Sequence, residues 1–356
     1  DHPAARAPPM SAHSRGGLAA EVKRPSELSA GERAAWLGLM AAVPSLRRAF
    51  FAPGFAEACE QAHGRARVAV LRRGGETVGF FPFQYPSAWH RRLGLAERIG
   101  GELCDHAGAI LRPGVRLDPA TLLGLCRLGG LFISHLGADQ DALGLTAADW
   151  RTGHVIDLAE GSAAYFAALA AANKPFLLDT ERRQRRMEKE YGAPEVSITT
   201  RPAAAELDAL IAAKRAQYAR TAVGDPFADP AHQQLVRLLA GREDAACTPM
   251  LSTLAAGGRV LARHFGLLHA GVLSYWFPVY DPEASKVSPG RLLLWHTLRA
   301  ADAHGIRLID RGEGDSQAKR DFSTGEQRFG RASWHAGGWR GMLARGCQKL
   351  TWMLRR

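Results

Sequence analysis

The sequence predicts an α+β fold, a mixed α/β sandwich of two units, each with a mostly antiparallel central sheet flanked by helices. Three observations lead there. Helical periodicity alternates with short β-prone runs along most of the chain. The stretch 248–280 reads as a meander of strands, which excludes an all-parallel doubly wound sheet. The order helix, hairpin, strand, helix, strand in the first part returns in longer form in the second, so the 356 residues divide into two related units.

Each element has a local reason. Residues 1–19 are rich in Pro, Ala and Gly without periodicity and predict disorder. Ser29, with Glu32 three positions on, predicts a capped helix over 29–40. Two β-prone runs flank Gly74-Gly75 within 65–85, a hairpin signal. A strand is expected over 107–111, a helix over 119–128 capped by Asp118 with Pro119 at its first position, and a strand over 131–136. A second unit begins at 151, with a strand at 155–158 and a helix from Gly161-Ser162 that Asn173-Lys174-Pro175 breaks. A basic helix carries Arg182, Arg183, Arg185, Arg186 and Lys189, and helices over 203–221 and 232–239 follow. The meander turns at Gly257-Gly258 and at 269–271. A helix over 290–304, a strand over 306–310, a short helix and a strand over 328–334 complete the unit. The division is 1–19 disordered, 20–150 first unit, 151–338 second unit and 339–356 a basic amphipathic helix. In that helix Trp339, Met342, Leu343, Leu350, Met353 and Leu354 share one face.

Composition narrows the function classes. Hydrophobic residues at 46% and charged residues at 23% describe a globular protein, not a fibrous or disordered one. There are 46 Lys and Arg against 35 Asp and Glu, a net charge of +11 that favours anionic partners. The five cysteines are widely spaced without a CxxC, so neither a disulfide framework nor a zinc site is expected. The opening residues have no apolar stretch of the signal-peptide kind, and no run of 18 apolar residues occurs; a cytoplasmic chain is expected. No GxSxG elbow, GxxxxGK[ST] loop or HExxH pair is present.

The passage 259–322 carries the chemistry. The segment 281–290 leads from a strand directly into a helix start at Ser288, Pro289, Gly290 and Arg291. A helix start offers unpaired N–H groups, and Arg291 adds a charge-assisted contact, so these four residues form a candidate phosphate cradle; an ordinary Ser-Pro helix start explains the same residues. HFGLLHAGVLSYWFPVYDP (264–282) followed by SPGRLLLWHTLRAADAHGIRLIDRGEGDSQAKRDF (288–322) resembles the acetyltransferase domain of cellulose-biosynthesis CelD-like proteins, members of the GNAT superfamily related to FemA/FemB-type transferases. LCDHAGAILRPG (103–114), GHVIDLAEG (153–161) and the basic helix 176–190 extend the resemblance over about residues 60–335.

The resemblance implies a tandem GNAT-like fold. An acyl-CoA, acetyl-CoA or longer, would lie between splayed strands at 271–280 and 306–310, with its pyrophosphate at Ser288, Pro289, Gly290 and Arg291. The family motif GD-x-x-Y-K-x-x-F matches Gly314, Asp315, Lys319 and Phe322, with Ala318 at the tyrosine position. Acyl transfer to an amine needs a proton acceptor and a donor for the oxyanion. Asp315 is a candidate base and Lys319 a candidate partner of phosphate or oxyanion; the alternative has Asp315 cap the short helix and pair with Lys319. His264 and Tyr275 are expected nearly opposite each other on neighbouring strands, as a base with its neighbour or as a packing pair. Tyr280 is a candidate donor to the leaving thiol. Asp105-His106 is a weaker candidate, and no metal is expected.

The expected activity is acyl-CoA-dependent N-acyl transfer to an amino sugar or other amine, lipid-linked or free, in envelope or exopolysaccharide biosynthesis. Two readings stand beside it: a FemA/FemB-type transferase using aminoacyl-tRNA, and an inactive accessory subunit of a polysaccharide synthase. The helix 339–356 is expected either to make peripheral contact with an anionic membrane surface or to dock on its own domain.

Overall fold

The computed structural model describes residues 13–15, 17–338 and 341–346. Strands β1 (His13–Arg15) and β2 (Leu18–Lys23) precede helices α1 (Ala30–Ala42) and α2 (Pro53–His63). Then come β3 (Ala66–Arg73), β4 (Glu76–Gln84), α3 (Ala88–Leu93), β5 (Leu95–Arg98), β6 (Ile110–Leu111), α4 (Pro119–Cys126), β7 (Gly130–Gly137) and α5 (Gln140–Leu143). The chain continues with β8 (Asp149–Asp157), α6 (Ser162–Ala172), α7 (Lys174–Tyr191), β9 (Pro194–Thr199), α8 (Ala204–Thr221) and α9 (Pro230–Ala240). It ends with β10 (Thr248–Ala256), β11 (Arg259–His269), β12 (Val272–Tyr280), α10 (Pro289–Arg299), β13 (Leu308–Glu313), α11 (Gln317–Arg320) and β14 (Gly325–His335). Contacts divide it into two compact units: 1–46, 63–149 and 330–356 form one, 47–62 and 150–329 the other.

In the first unit β1, β2, β3, β4, β5 and β7 lie side by side in that order, with β6 on β4. The pairs are antiparallel except β5 with β7, which are parallel and joined through α4. Ser29 and Glu32 close the expected capping box on α1, which stacks Trp36 on Phe80 with ring centres 4.8 Å apart. The hairpin β3–β4 turns at Gly74-Gly75 as expected.

The second unit has the order β8, β13, β12, β11, β10, β9. Again one pair, β12 with β13, is parallel and bridged by a helix, α10. Helices α6, α7 and α10 cover one face through Tyr165, Phe176, Leu294 and Leu298. On the other face the ring of Phe277 packs 5.0 Å from that of Phe227.

Several boundaries differ from expectation. Residues 13–15 pair with 18–20 as a hairpin, so part of the stretch expected to be disordered has backbone partners; residues 1–12 and 16 lie outside the described residues. The segment 47–62, which sequence order assigns to the first unit, packs in the second. Its Phe50 meets Trp276 edge-on at 5.1 Å, and Arg48 pairs with Asp310 at 2.8 Å. The helix expected over 290–304 ends at Arg299 and a single 3-10 turn follows, while the next strand starts at Leu308 and runs to Glu313. Of the C-terminal amphipathic helix, 341–346 is helical; Trp339, Leu350, Met353 and Leu354 lie outside the described residues. Among the described residues no helix is long and apolar enough to cross a membrane.

Candidate active site

The parallel strands β12 and β13 pair over only three positions, Val272 with Leu308, Leu273 with Ile309 and Ser274 with Asp310. Both strands continue past that point, β12 to Tyr280 and β13 to Glu313, without further mutual pairing. Irregularities on both sides open the gap. On β12, Tyr275 and Trp276 together oppose Gly266 of β11, a bulge that turns the strand. On β13 the register with β8 shifts between Asp310 and Glu313, where Gly312 adopts φ 64°. Asp310 holds this bend: its buried carboxylate accepts from Arg48 Nε at 2.8 Å, Gln327 Nε2 at 2.5 Å and the Gly312 N–H at 2.9 Å.

Buried polar atoms without partners gather around the opening. His264 has no exposed surface, and neither of its ring nitrogens has a hydrogen-bond partner. Its ring lies flat on that of Tyr275, centres 3.6 Å apart, and the Tyr275 hydroxyl is also unpartnered. The two residues do not stand opposite each other as expected. Pro278 faces His264 in the register, and the bulge carries Tyr275 over the imidazole. Gly266 makes the space, since a Cβ there would lie 2.9 Å from His264 Cε1 and Nε2. Burial, reinforced by Arg311 and Lys214, holds the imidazole well below the ordinary histidine range, so it is neutral at pH 7. Burial pushes the Tyr275 hydroxyl up. Arg311 of β13 reaches to 5.8 Å from the Tyr275 ring and donates to the Ala318 carbonyl at 2.9 Å. Unpartnered hydroxyls of Ser252 and Ser274 complete the group.

At the far end of β12, Tyr280 is 42% exposed and lies beside Gly290, whose added Cβ would sit 3.7 Å from its ring. Ser288 enters α10 in the left-handed conformation (φ 53°). Pro289 has no N–H, and the N–H groups of Arg291 and Leu292 bond back to the Ser288 carbonyl at 3.0 and 3.2 Å. The backbone cradle is therefore narrower than expected, and guanidinium groups dominate the charge. Arg183 of α7 donates to Ser288 Oγ at 2.8 Å, and Arg291 lies over Phe176 while bonding Asp179 at 2.8 Å. Asp179 also takes Arg183 and Arg182, and Arg183 first among them holds its carboxyl down at about 2. The corresponding helix start in the first unit, at α4, is capped by the carboxylate of Asp118, which disfavours an anion.

The motif 314–322 acts as a fastened loop. Asp315 meets His154 Nε2 at 3.0 Å and Arg320 at 2.5 Å, with His154 and then Arg320 lowering its pKa. His154 Nδ1 sits 3.2 Å from Ser323 Oγ. Lys319 donates to the carbonyls of Gly312 and Glu313 at 3.2 and 2.7 Å, which ties α11 to the end of β13, and Phe322 packs edge-on against Phe176 at 4.9 Å. The expected alternative, a cap and Asp315–Lys319 pair, is replaced by these contacts. His154, Lys214 and Asp310 are not singled out by the sequence; Arg183 is visible only within the basic helix, and Arg311 only within the segment 288–322. Asp105 and His106 belong to the first unit. Among the described residues no group of three His, Cys, Asp or Glu could hold a metal.

Residues 178–320 match the acetyltransferase (GNAT) domain family. The matched residues contain the opening, α10 and the loop 314–320. No curated protein matches the chain significantly. Among solved structures, FemX is 10% identical with a TM-score of 0.55, covering 93% of this chain and 99% of that one. The C-terminal domain of a putative lysylphosphatidylglycerol synthetase from Agrobacterium fabrum is 10% identical, TM-score 0.53, covering 88% and 95%. A tandem GNAT protein from the clavulanic acid biosynthesis pathway is 14% identical, TM-score 0.50, covering 90% and 100%. At these identities the likeness is one of fold, and the fold is consistent with a tandem GNAT arrangement.

Proposed function

We propose that the second unit is an N-acyltransferase that takes its acyl group from a CoA thioester and delivers it to an amine. One observation carries the reading: β12 and β13 part after Ser274 and Asp310, next to the stacked and unpartnered His264 and Tyr275, and β12 ends at Tyr280 beside the α10 start where Arg183 and Arg291 lie. An extended thioester arm could satisfy the free edge of β12, while Arg183 and Arg291 meet the diphosphate with charge-assisted hydrogen bonds. Neutral His264 and the cations Arg311 and Lys214 suit an acceptor amine that enters uncharged. Within the superfamily we place the chain with the CelD-like type, on the segments 103–114 and 153–161 and the partial GD-x-x-Y-K-x-x-F motif, and we take an amino sugar or similar amine of envelope or exopolysaccharide synthesis as the acceptor.

The test is calorimetric titration with acetyl-CoA and a longer acyl-CoA, beside Arg183→Glu and Arg291→Glu. Saturable binding, weakened at least about tenfold in either variant, is expected, since a charge-assisted contact is worth about 1.5–3 kcal/mol. Absence of thioester binding by the wild-type chain would refute the reading and direct attention to aminoacyl-tRNA or to an accessory role.

A further inference from the structure

Lys214 is a buried cation beside the opening. It projects from α8, and its ammonium donates to the Pro278 carbonyl at 2.9 Å and to Gln217 Oε1 at 3.3 Å, 5.1 Å from the centre of the Tyr218 ring. Both acceptors are neutral. The hydrogen-bond pattern of the sheet fixes where this ammonium stands. The Asp281 N–H bonds the Leu261 carbonyl at 2.8 Å, and the register pairs 262 with 280, 263 with 279 and 264 with 278. In an antiparallel ladder hydrogen-bonded and non-hydrogen-bonded pairs alternate, so 264 and 278 form a pair whose polar groups point away from each other. The Pro278 carbonyl therefore points to the side from which β13 has departed, and the Lys214 ammonium takes the place of a missing strand N–H. A proline is tolerated inside β12 for the same reason, because on that side no partner awaits its N–H.

An acyl donor lying along the free edge of β12 would meet this ammonium. The titratable and charged groups around α8 are His264 on β11, Tyr218 on the helix itself and the pairs Arg215–Asp225 and Arg237–Asp208; Arg311 faces His264 from β13. Burial pulls the Lys214 ammonium down to about 8, near the ordinary value of about 8.5 for a thiol.

We propose, on the strength of the acyl-CoA reading, that Lys214 exchanges the proton of the transfer. The acceptor nitrogen bonds to the thioester carbon and the carbon–sulfur bond breaks. The Lys214 ammonium passes a proton to the departing sulfur, which leaves as free thiol. The neutral amine of Lys214 then takes the proton shed by the acceptor nitrogen, which leaves an amide and restores the ammonium.

The experiment needs no acceptor. Coenzyme A bound to the wild-type chain, to Lys214→Met and to Lys214→Arg is titrated by thiolate difference absorbance. The bound thiol is expected to ionise about one pH unit lower in wild type than in the Met variant, the effect of a cation within contact distance, and the Arg variant is expected to keep the low value. Equal thiol titration in wild type and Met variant, both binding coenzyme A, overturns the assignment. Should the Met variant fail to fold, labelling of wild-type Lys214 by acetic anhydride replaces it: protection by coenzyme A supports the assignment and unchanged labelling overturns it. If the wild-type chain does not bind coenzyme A at all, the donor reading itself falls.

Discussion

Replacing Asp310 by alanine tests whether one buried ion pair holds the bend that opens β13 from β12. The carboxylate is 2% exposed and accepts from Gln327, the Gly312 N–H and the Arg48 guanidinium, whose side chain is 13% exposed. Removing one partner of a buried pair costs about 3–5 kcal/mol. Arg48 keeps some solvent and a 3.4 Å contact to Gln327 Oε1, which places the expected loss near the lower end, at about 3 kcal/mol. That is roughly a hundredfold in the unfolding equilibrium. Asp310→Asn keeps an acceptor for Gln327 and the Gly312 N–H but gives up the charge, and is expected to lose about half as much. The assay is urea unfolding followed by tryptophan fluorescence, with Arg48→Met completing a double-mutant cycle. A coupling energy of at least about 1.5 kcal/mol is expected for groups in one hydrogen-bonded network. Additive single effects, each within about 0.5 kcal/mol of wild type, would refute the reasoning. The same variants should also weaken acyl-CoA binding, because Ser274 and Asp310 are the last pair before the strands part.

Two further outcomes follow from the surroundings of the opening. Gly266→Ala would place a Cβ 2.2 Å from the Ser274 carbonyl and 2.9 Å from the His264 ring, a backbone clash that no rotamer relieves. A loss of about 2–3 kcal/mol is expected by calorimetric melting, whereas Gly38→Ala in α1, with nothing within 4 Å, should be neutral or gain up to about 1 kcal/mol; equal behaviour of the two would contradict the packing described. Burial holds His264, His269 and His296 below the ordinary histidine range. The unfolded chain therefore binds more protons once the pH falls through about 6.5, and stability is retained above that value and lost below it. Urea midpoints should fall between about pH 7 and about pH 5.5, less steeply in His264→Gln; a flat profile would show that these histidines protonate freely in the folded chain.

Local signals sufficed for most elements. The Ser29–Glu32 box, the Asp118-Pro119 start, the Gly74-Gly75 turn and the Asn173-Lys174-Pro175 break each act within a few residues, so they are legible in the chain and stand in the structure. The resemblance carried by 264–322 likewise located the parted strands and the helix start. Other features depend on residues far apart in sequence. Arg48 meets Asp310 across 262 positions, and His154 meets Asp315 across 161. Arg183 reaches Ser288 across 105, and Lys214 reaches Pro278 across 64. The stacking of Tyr275 on His264 arose from a one-residue bulge, which changes which side chains share a face without altering the alternation visible in either strand. The sequence by itself thus determined the capped helices, the glycine turns and the meander, because caps, turns and periodicity are short-range. Elements β1, β2, α2, α3, β5, α5 and β9 carried no signal that was read, and the family resemblance pointed to the opening. Only the tertiary structure decided which charges meet there, because long-range pairing depends on strand register and on which helix covers which face.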